Sequence, residues 1–404
     1  MWIRVSCAAA LLVVPCQFAH AQTVLSEADA LARLSSDGAY AQAMRASVDV
    51  ARAEVATAGR WPNPVASFGR EAAANVSETI TTVAQPLPVT GRMALERRAV
   101  AALVGAADGR AGDVLRRARA DLRQAYAELA AAQAREAELS RNRARLTELV
   151  DALARRVAAG DAAAFDRLRA EREVLELDAD LRTAAADRAR AEGALAAFIG
   201  PGTGGSTWRA TDLPTEEPEL PDVAALVDRA RRTRGDLLSL SHEREAAQLS
   251  SEAAAKRRIP EPEVIGGVKT SSVGGAGFVF GVQAVLPLFN SGTADRAVAE
   301  ARMRQASLRL EVTVHALDAQ VASARVVSLE RHTAAARYRA SATVTADELE
   351  RIARVSYDAG ERGILELVDA HRLASQARLR QVALDLAARQ ADIELEFVSG
   401  WEVR

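Results

Sequence analysis

The 404-residue chain is short of aromatic residues, which make up 4% of it, and it has only two cysteines and 12 prolines. Each shortage excludes something. A compact domain of this size ordinarily fills its core with Phe, Tyr and Trp, whereas this chain is dominated by Ala, Leu, Val, Arg and Glu, the composition of long helices. Both cysteines, Cys7 and Cys16, fall in the first 21 residues. Beyond them there is no disulfide framework, thiolate metal site or cysteine nucleophile. No stretch approaches 18 uninterrupted apolar residues, which excludes a transmembrane helix. With 52 Lys+Arg against 54 Asp+Glu, the net charge of −2 lacks the basic footprint of a polyanion binder, so no nucleic-acid partner is expected.

Catalytic patterns are missing as well. His242, His315, His332 and His371 are scattered without an i, i+4 pair, which reads as isolated helix-surface or belt histidines rather than a metal site. Met44, Met93 and Met303 form no thioether cluster. Gly274–Gly277 precedes a strand-like segment instead of a helix, so it is a turn and not a phosphate cradle. There is no G-x-S-x-G. The expectation is a protein without enzymatic activity, metal or cofactor.

What is present begins with an export signal. Arg4, the apolar Val5–Val14 and Ala19-His20-Ala21 ahead of Gln22 read as a cleaved leader over residues 1–21. The remainder is duplicated. Pro62-Asn63-Pro64 recurs as Pro260-Glu261-Pro262, Pro86-Leu87 with Gly91 recurs as Pro287-Leu288 with Gly292, and Val157 through Gly160 with Phe165-Asp166 recurs as Tyr357 through Gly360 with Leu365-Glu366. Three landmarks in one order, each about 200 residues apart, define two structural repeats, 22–200 and 222–404, joined by a Gly/Pro/Ser/Thr-rich linker at 201–221.

Each repeat reads as a helix (24–60 and 222–258), two strands, a very long proline-free helix (91–159 and 292–359) and a further helix (162–200 and 361–399). The strands are expected at 65–71, 77–87, 263–270 and 277–289; in the last, Phe278, Phe280, Val282, Ala284, Leu286 and Leu288 share one face. In the long helix Leu122, Tyr126, Leu129 and then Leu146, Val150, Leu153, Val157 step by four and three, the coiled-coil spacing. Gly160 and Gly360 end the runs, with Asp161 and Gly363 in the turns that follow. A run of 69 residues makes a helix of roughly 100 Å, which the two flanking helices stacked end to end would match. Four strands cannot close a barrel, and a bilayer excludes an open sheet edge. Membrane-spanning strands would therefore need several chains; a soluble cap of two hairpins is the other possibility.

With these features the chain resembles the TolC-type outer-membrane efflux proteins over its whole length beyond the leader. The resemblance rests on the duplicated plan, on Gln85-Pro86-Leu87-Pro88 with Gly91, on Leu286 through Asn290 with Gly292, and above all on the block from Tyr357 to Ala370. The short tail after Trp401 is similar to the heavy-metal or small-molecule efflux branch. The fold implied is mainly α with a small β part: a long antiparallel α-helical coiled-coil barrel plus a twelve-stranded transmembrane β-barrel to which each protomer of a homotrimer gives four strands. The implied function is the outer-membrane channel of a tripartite efflux system, with a periplasmic adaptor, an inner-membrane pump and outer-membrane lipid as partners. A periplasmic coiled-coil structural or adaptor protein is the alternative. The prolines and glycines at Pro62, Pro64, Pro86, Gly91, Pro260, Pro262, Pro287 and Gly292 would mark barrel–helix junctions. Tyr357, Arg362, Glu366, Asp369 and Asp166 would form a gate near the periplasmic turns, with Tyr357 and Arg362 bonded to Asp166. Glu366 and Asp369 lie three apart on a helix expected to begin near Glu361, so a trimer would gather up to six carboxylates around its axis. A solvated acidic helix start explains the same charges equally simply. Phe165 departs from the small polar residue of relatives.

Overall fold

The computed structural model describes residues 22–35, 39–73, 75–200, 207–211 and 213–402. The leader assigned to residues 1–21, with both cysteines, lies outside the described residues. The first repeat comprises β1 (Gln22–Leu25), α1 (Glu27–Ser35), α2 (Ala39–Thr57), β2 (Val65–Ala73), β3 (Val76–Pro86), α3 (Arg92–Ala159) and α4 (Ala164–Ile199). After β4 (Thr207–Ala210), the second comprises α5 (Val223–Thr233), α6 (Gly235–Lys256), β5 (Pro262–Ser271), β6 (Gly275–Ala284), α7 (Thr293–Tyr338), a π-helical turn at Arg339–Thr343, α8 (Val344–Asp358) and α9 (Ile364–Ser399).

The backbone of the molecule is α3, 68 residues long and thus roughly 100 Å. One end of it packs on α2, where Arg52 pairs with Asp108; the other packs on α4, where Arg143 meets Asp178 at 2.5 Å and Arg188 meets Glu136 at 2.6 Å. The two shorter helices thus succeed one another along the long one. Alanine makes this packing close: Ala99, Ala102, Ala106, Ala118, Ala120 and Ala127 are all buried on α3. Where α3 crosses α6 the backbones nearly touch. A Cβ on Gly235 would strike the carbonyl oxygen of Gly109, and one on Gly109 would lie 2.7 Å from that of Gly235.

Two aromatic side chains are buried near the middle of α3. Here β1 pairs in parallel with β4, Gln22 opposite Thr207 through Leu25 opposite Ala210. Trp208 and Tyr126 are buried there among Leu25, Leu34, Leu122, Leu129 and Leu195. Every polar group of the two rings is answered: Trp208 Nε1 donates to the Gly200 carbonyl at 3.2 Å, and Tyr126 donates to the Leu25 carbonyl at 2.9 Å while accepting from the Thr211 amide at 2.9 Å. Arg123 and Arg389 both grip Glu27, tying α1 to α3 and α9; burial works against that carboxylate, but the two guanidiniums hold it below its usual range.

Several elements differ from the sequence expectation. Residues 222–258 are not a single helix but are broken between α5 and α6, and in 24–60 residues 24–25 belong to β1, while 36–38, between α1 and α2, lie outside the described residues. At the α5–α6 break Arg234 is extended (φ −70°, ψ 122°), and Asp236 accepts from the Leu237 amide at 2.9 Å and from Arg234 Nε at 3.0 Å, which offers the backbone an alternative to helix. The 201–221 linker contributes a strand, β4, and the start of the first repeat contributes its partner, β1, so the described residues hold six strands and not four. Residues 277–289 do not form one strand: β6 spans Gly275–Ala284, since its partner β5 ends at Pro262 opposite Ala284. Leu286 and Leu288 therefore lie beyond it. The second long helix is not continuous, as the π-turn interrupts it where Ser341 bonds back to the Arg337 carbonyl at 2.7 Å.

Substituting Gly235→Ala forces a methyl group into the α3 backbone and should destabilise the protein by about 1–3 kcal/mol. Gly193→Ala, at an open helical position, should stabilise by up to about 1 kcal/mol. Denaturant midpoints of the two variants measure the contrast.

Candidate channel wall and gate

The four remaining strands form one antiparallel sheet in the order β2-β3-β5-β6, so the outer edges of β2 and β6 have no partner among the described residues. The register sorts the side chains sharply. Opposed residues share a face, which puts Phe68, Val83, Val264, Val268, Phe278, Phe280 and Val282 together on one side. The opposite side carries every cross-strand polar side-chain pair among the described residues: Ser67 with Thr82 at 2.6 Å, Lys269 with Glu78 at 2.6 Å, and Gln283 donating to Glu263 at 2.6 Å. Phe278 and Phe280 are more than four-fifths exposed in the single chain. One apolar face, one polar face and two bare edges make a wall segment, not a finished domain.

The sheet joins the helices through the proline and glycine landmarks. Pro86 ends β3 and Pro262 begins β5, with the Leu87 amide donating to the Pro262 carbonyl at 2.8 Å. Pro62, Pro64, Pro260 and Pro287 lie in the connecting segments, and Gln85 Nε2 donates to the Pro62 carbonyl at 3.0 Å. Gly91 (φ 75°) and Gly292 (φ 79°) precede α3 and α7 in the left-handed region, which favours glycine.

At the opposite end the two turns repeat one motif. Gly160 (φ 85°) and Gly360 (φ 77°) donate to the carbonyls of Val157 and Tyr357, and the amides of Asp161 and Glu361 reach back to Arg156 at 2.8 Å and Ser356 at 2.9 Å. Gly363 is extended (φ −78°, ψ 170°) just ahead of α9. Because α9 starts at Ile364 and not near Glu361, Glu366 lies in its first turn and Asp369 in the next, where Asp369 pairs with Arg372 at 2.8 Å. Tyr357 meets neither Asp166 nor Arg362 within the chain. Its hydroxyl accepts from Arg156 Nη1 at 3.2 Å, with that guanidinium 5.7 Å from the ring. Asp166, in the first turn of α4, and Arg362 form no ion pair among the described residues. Phe165, beside Asp166, is exposed.

A polar series on α9 went unread in the sequence. His371, Arg378, Asp385 and Asp392 are seven residues apart, and each ties α9 to the helices against it. His371 Nδ1 lies 2.9 Å from Glu350, which also accepts from Arg145 at 3.2 Å and Arg378 at 2.6 Å. Arg378 further reaches Asp347 at 2.6 Å and the buried Glu138 at 3.3 Å. Asp385 accepts from Arg339 in the π-turn at 2.5 Å, and Asp392 from Ser328 at 2.7 Å while lying 2.8 Å from His332. His332 and His371 are thus buried, not surface groups. The heptad spacing was the available signal, but in a coiled coil that seam is ordinarily apolar. Burial lowers the His371 pKa, an effect that Glu350 only partly offsets. Burial also opposes the charge on Glu350, but hydrogen bonding from Arg378 and the charges of Arg145 and Arg378 outweigh it and hold the carboxyl below its usual range.

Both groups bind fewer protons folded than unfolded, so the network stabilises the protein above pH 6.5, the ordinary value for His371, and weakens as pH falls below it. Acidification through that point should lower the thermal midpoint, and His371→Asn should flatten the upper part of this dependence while leaving the steeper acid limb of the carboxylates.

Comparison with known proteins follows this geometry. Residues 226–400 match the family described as Outer membrane efflux protein. The fold superposes on a membrane protein from Pseudomonas aeruginosa with a TM-score of 0.77 at 21% identity, covering 93% of each chain. It superposes on CusC with a TM-score of 0.77 at 18% identity, covering 92% of this chain and 91% of that one. For the open state of the MtrE outer membrane channel of Neisseria gonorrhoeae the TM-score is 0.76 at 18% identity, with 94% and 89% covered. A search of curated protein sequences finds no match.

Proposed function

We propose that the chain works as an outer membrane efflux protein, the family whose model matches residues 226–400, and that three copies close their sheets into one twelve-stranded barrel continued by a helical tunnel into the periplasm. The observation that carries this reading is the four-stranded sheet itself, apolar on one side, polar on the other and unpaired at both edges. Edge-to-edge joining of identical sheets satisfies the bare amides and carbonyls, puts Phe278 and Phe280 in lipid, and turns Lys269, Glu78 and Gln283 toward water. A soluble adaptor or structural coiled coil has no use for an exposed sheet face of this kind.

Substrate then moves by diffusion along a water-filled lumen, and the protein performs no chemistry on it. The turns at Gly160 and Gly360 lie at the same end of the helices and form the periplasmic entrance, where an adaptor and an inner-membrane pump engage. Asp161 and Arg362 are the positions for cross-linkers to those partners. The gate sits just inside. Glu366 and Asp369 repeat around the trimer axis as an acidic ring that favours cations, with Arg372 offsetting part of its charge. Tyr357, held by Arg156, packs against the apolar cluster that includes Leu153, Ile364 and Leu367 and braces the tip of α8–α9 against α3. Asp166 and Arg362, without an ion pair among the described residues, remain available to one another across a protomer boundary.

In planar bilayers the double variant Tyr357→Phe with Arg362→Ser should conduct clearly more than wild type while remaining trimeric. Equal conductance would remove these residues from the gate. Replacing Phe280 by Arg should cost about 2–4 kcal/mol of barrel stability if it lies near the bilayer midplane, read as a lowered denaturation midpoint of the detergent-solubilised trimer.

A further inference from the structure

Four segments cross between the sheet and the helices, at 58–64, 87–91, 257–261 and 285–292. They belong to both repeats and are far apart in sequence, yet the register sets Val65, Pro86, Pro262 and Ala284 close to one level of the sheet, so all four segments begin from the same rim. Each bears exposed apolar side chains: Trp61, Val89, Ile259, Leu286, Leu288 and Phe289, the last with its whole surface free.

Charge is the second feature of this rim. Most of its carboxylates are already engaged; Glu54 and Glu252, about a turn below the helix ends, have no cationic partner among the described residues. Glu261 accepts from Thr90 at 2.6 Å and Arg92 at 3.1 Å, Glu96 from Arg92 at 2.7 Å, Asp295 from Arg257, and Glu263 from Gln283 on the polar side of the sheet. Arg60, Arg97, Arg98, Lys256 and Arg258 have no carboxylate partner among the described residues. Arg60 and Arg97 donate instead to the backbone carbonyls of Ala56 and Gly59. The rim is therefore apolar toward the sheet and carries more unpaired cations than unpaired carboxylates toward the helices.

We propose that this rim binds anionic phospholipid headgroups in the leaflet that faces the periplasm. The inference rests on the outer-membrane reading above and names a ligand for one level of it. Trp61 and Phe289 seat at the boundary between acyl chains and headgroups, where a large ring with one apolar and one wet side is favoured. Lys256, Arg258 and Arg60, at the helix ends, meet the phosphates. A protein partner would need a contiguous patch, whereas apolar groups spread over four segments at one level fit a plane. Neutral lipids would leave the excess charge unanswered; an anionic headgroup answers it, each cation being worth about fivefold in lipid affinity.

Trp61 makes the test direct, because Trp208 is buried at mid-height and Trp401 follows the far end of α9. The exported protein is reconstituted in phosphatidylcholine bilayers, and quenching of Trp61 by brominated phosphatidylglycerol is compared with quenching by brominated phosphatidylcholine, with Trp61→Phe as background. The anionic lipid should quench at a several-fold lower mole fraction, and high salt should reduce that preference. Lys256→Gln with Arg258→Gln should bring the ratio close to one while quenching by phosphatidylcholine persists. Equal quenching by the two lipids in wild type, or an unchanged preference in the double variant, overturns the proposal and leaves the membrane barrel standing. A protein that stays out of the bilayer, with Trp61 quenched by neither lipid, sinks both.

Discussion

In the barrel proposed above, an open sheet in hydrocarbon is the constraint on which the rest of the structure depends. Each unpaired amide or carbonyl at the edges of β2 and β6 costs several kcal/mol where no water can reach it. The remedy available to a chain with four such strands is a symmetrical set of copies. Once the sheets join, the helices that leave the rim must run side by side in the same direction, and the geometry of the rim becomes critical. That is why the transition is crowded with residues of restricted or unusual backbone: prolines that end the strands without leaving an unused donor, and glycines at positive φ that turn the chain into α3 and α7.

Below the rim the problem changes from hydrogen bonding to spacing. Helices of roughly 100 Å that must stay in contact along their length are served by small side chains, and the alanine-rich face of α3 with the Gly109–Gly235 approach supplies them. Small residues fit closely but specify register poorly, since one alanine layer resembles the next. The buried polar groups of α9 supply the missing specificity. A slip of one turn would separate His371 from Glu350 and Asp392 from Ser328, leaving charged groups buried without partners. At mid-height Trp208 and Tyr126 do similar work, locking the segment between the repeats onto α3.

The two repeats are alike in plan and unequal in detail. The first long helix is unbroken, whereas the second carries a π-turn at which Arg339 reaches Asp385 on α9. The polar series of α9 faces that interrupted helix, so the second repeat holds the more ion-paired and more titratable of the two helix pairs.

Much of this was legible in the chain. Proline landmarks at constant offset marked the repeats, period-two alternation marked the strand that carries Phe278 and Phe280, and glycines marked the helix ends, because these signals act through local backbone geometry. The strand β4 in the linker, the π-turn and the early end of β6 were not, since each depends on a partner far away in sequence: β1 for β4, Asp385 for the π-turn, Pro262 for β6. The site divides in the same way. Local sequence determined that Gly160 and Gly360 cap their helices and that Glu366 and Asp369 share one helical face. Tertiary packing alone decided that Tyr357 takes Arg156 as its partner and that His332 and His371 are buried. A side chain's partner is set by which helices meet and in what register, and those are properties of the packed chain that no short window of residues contains.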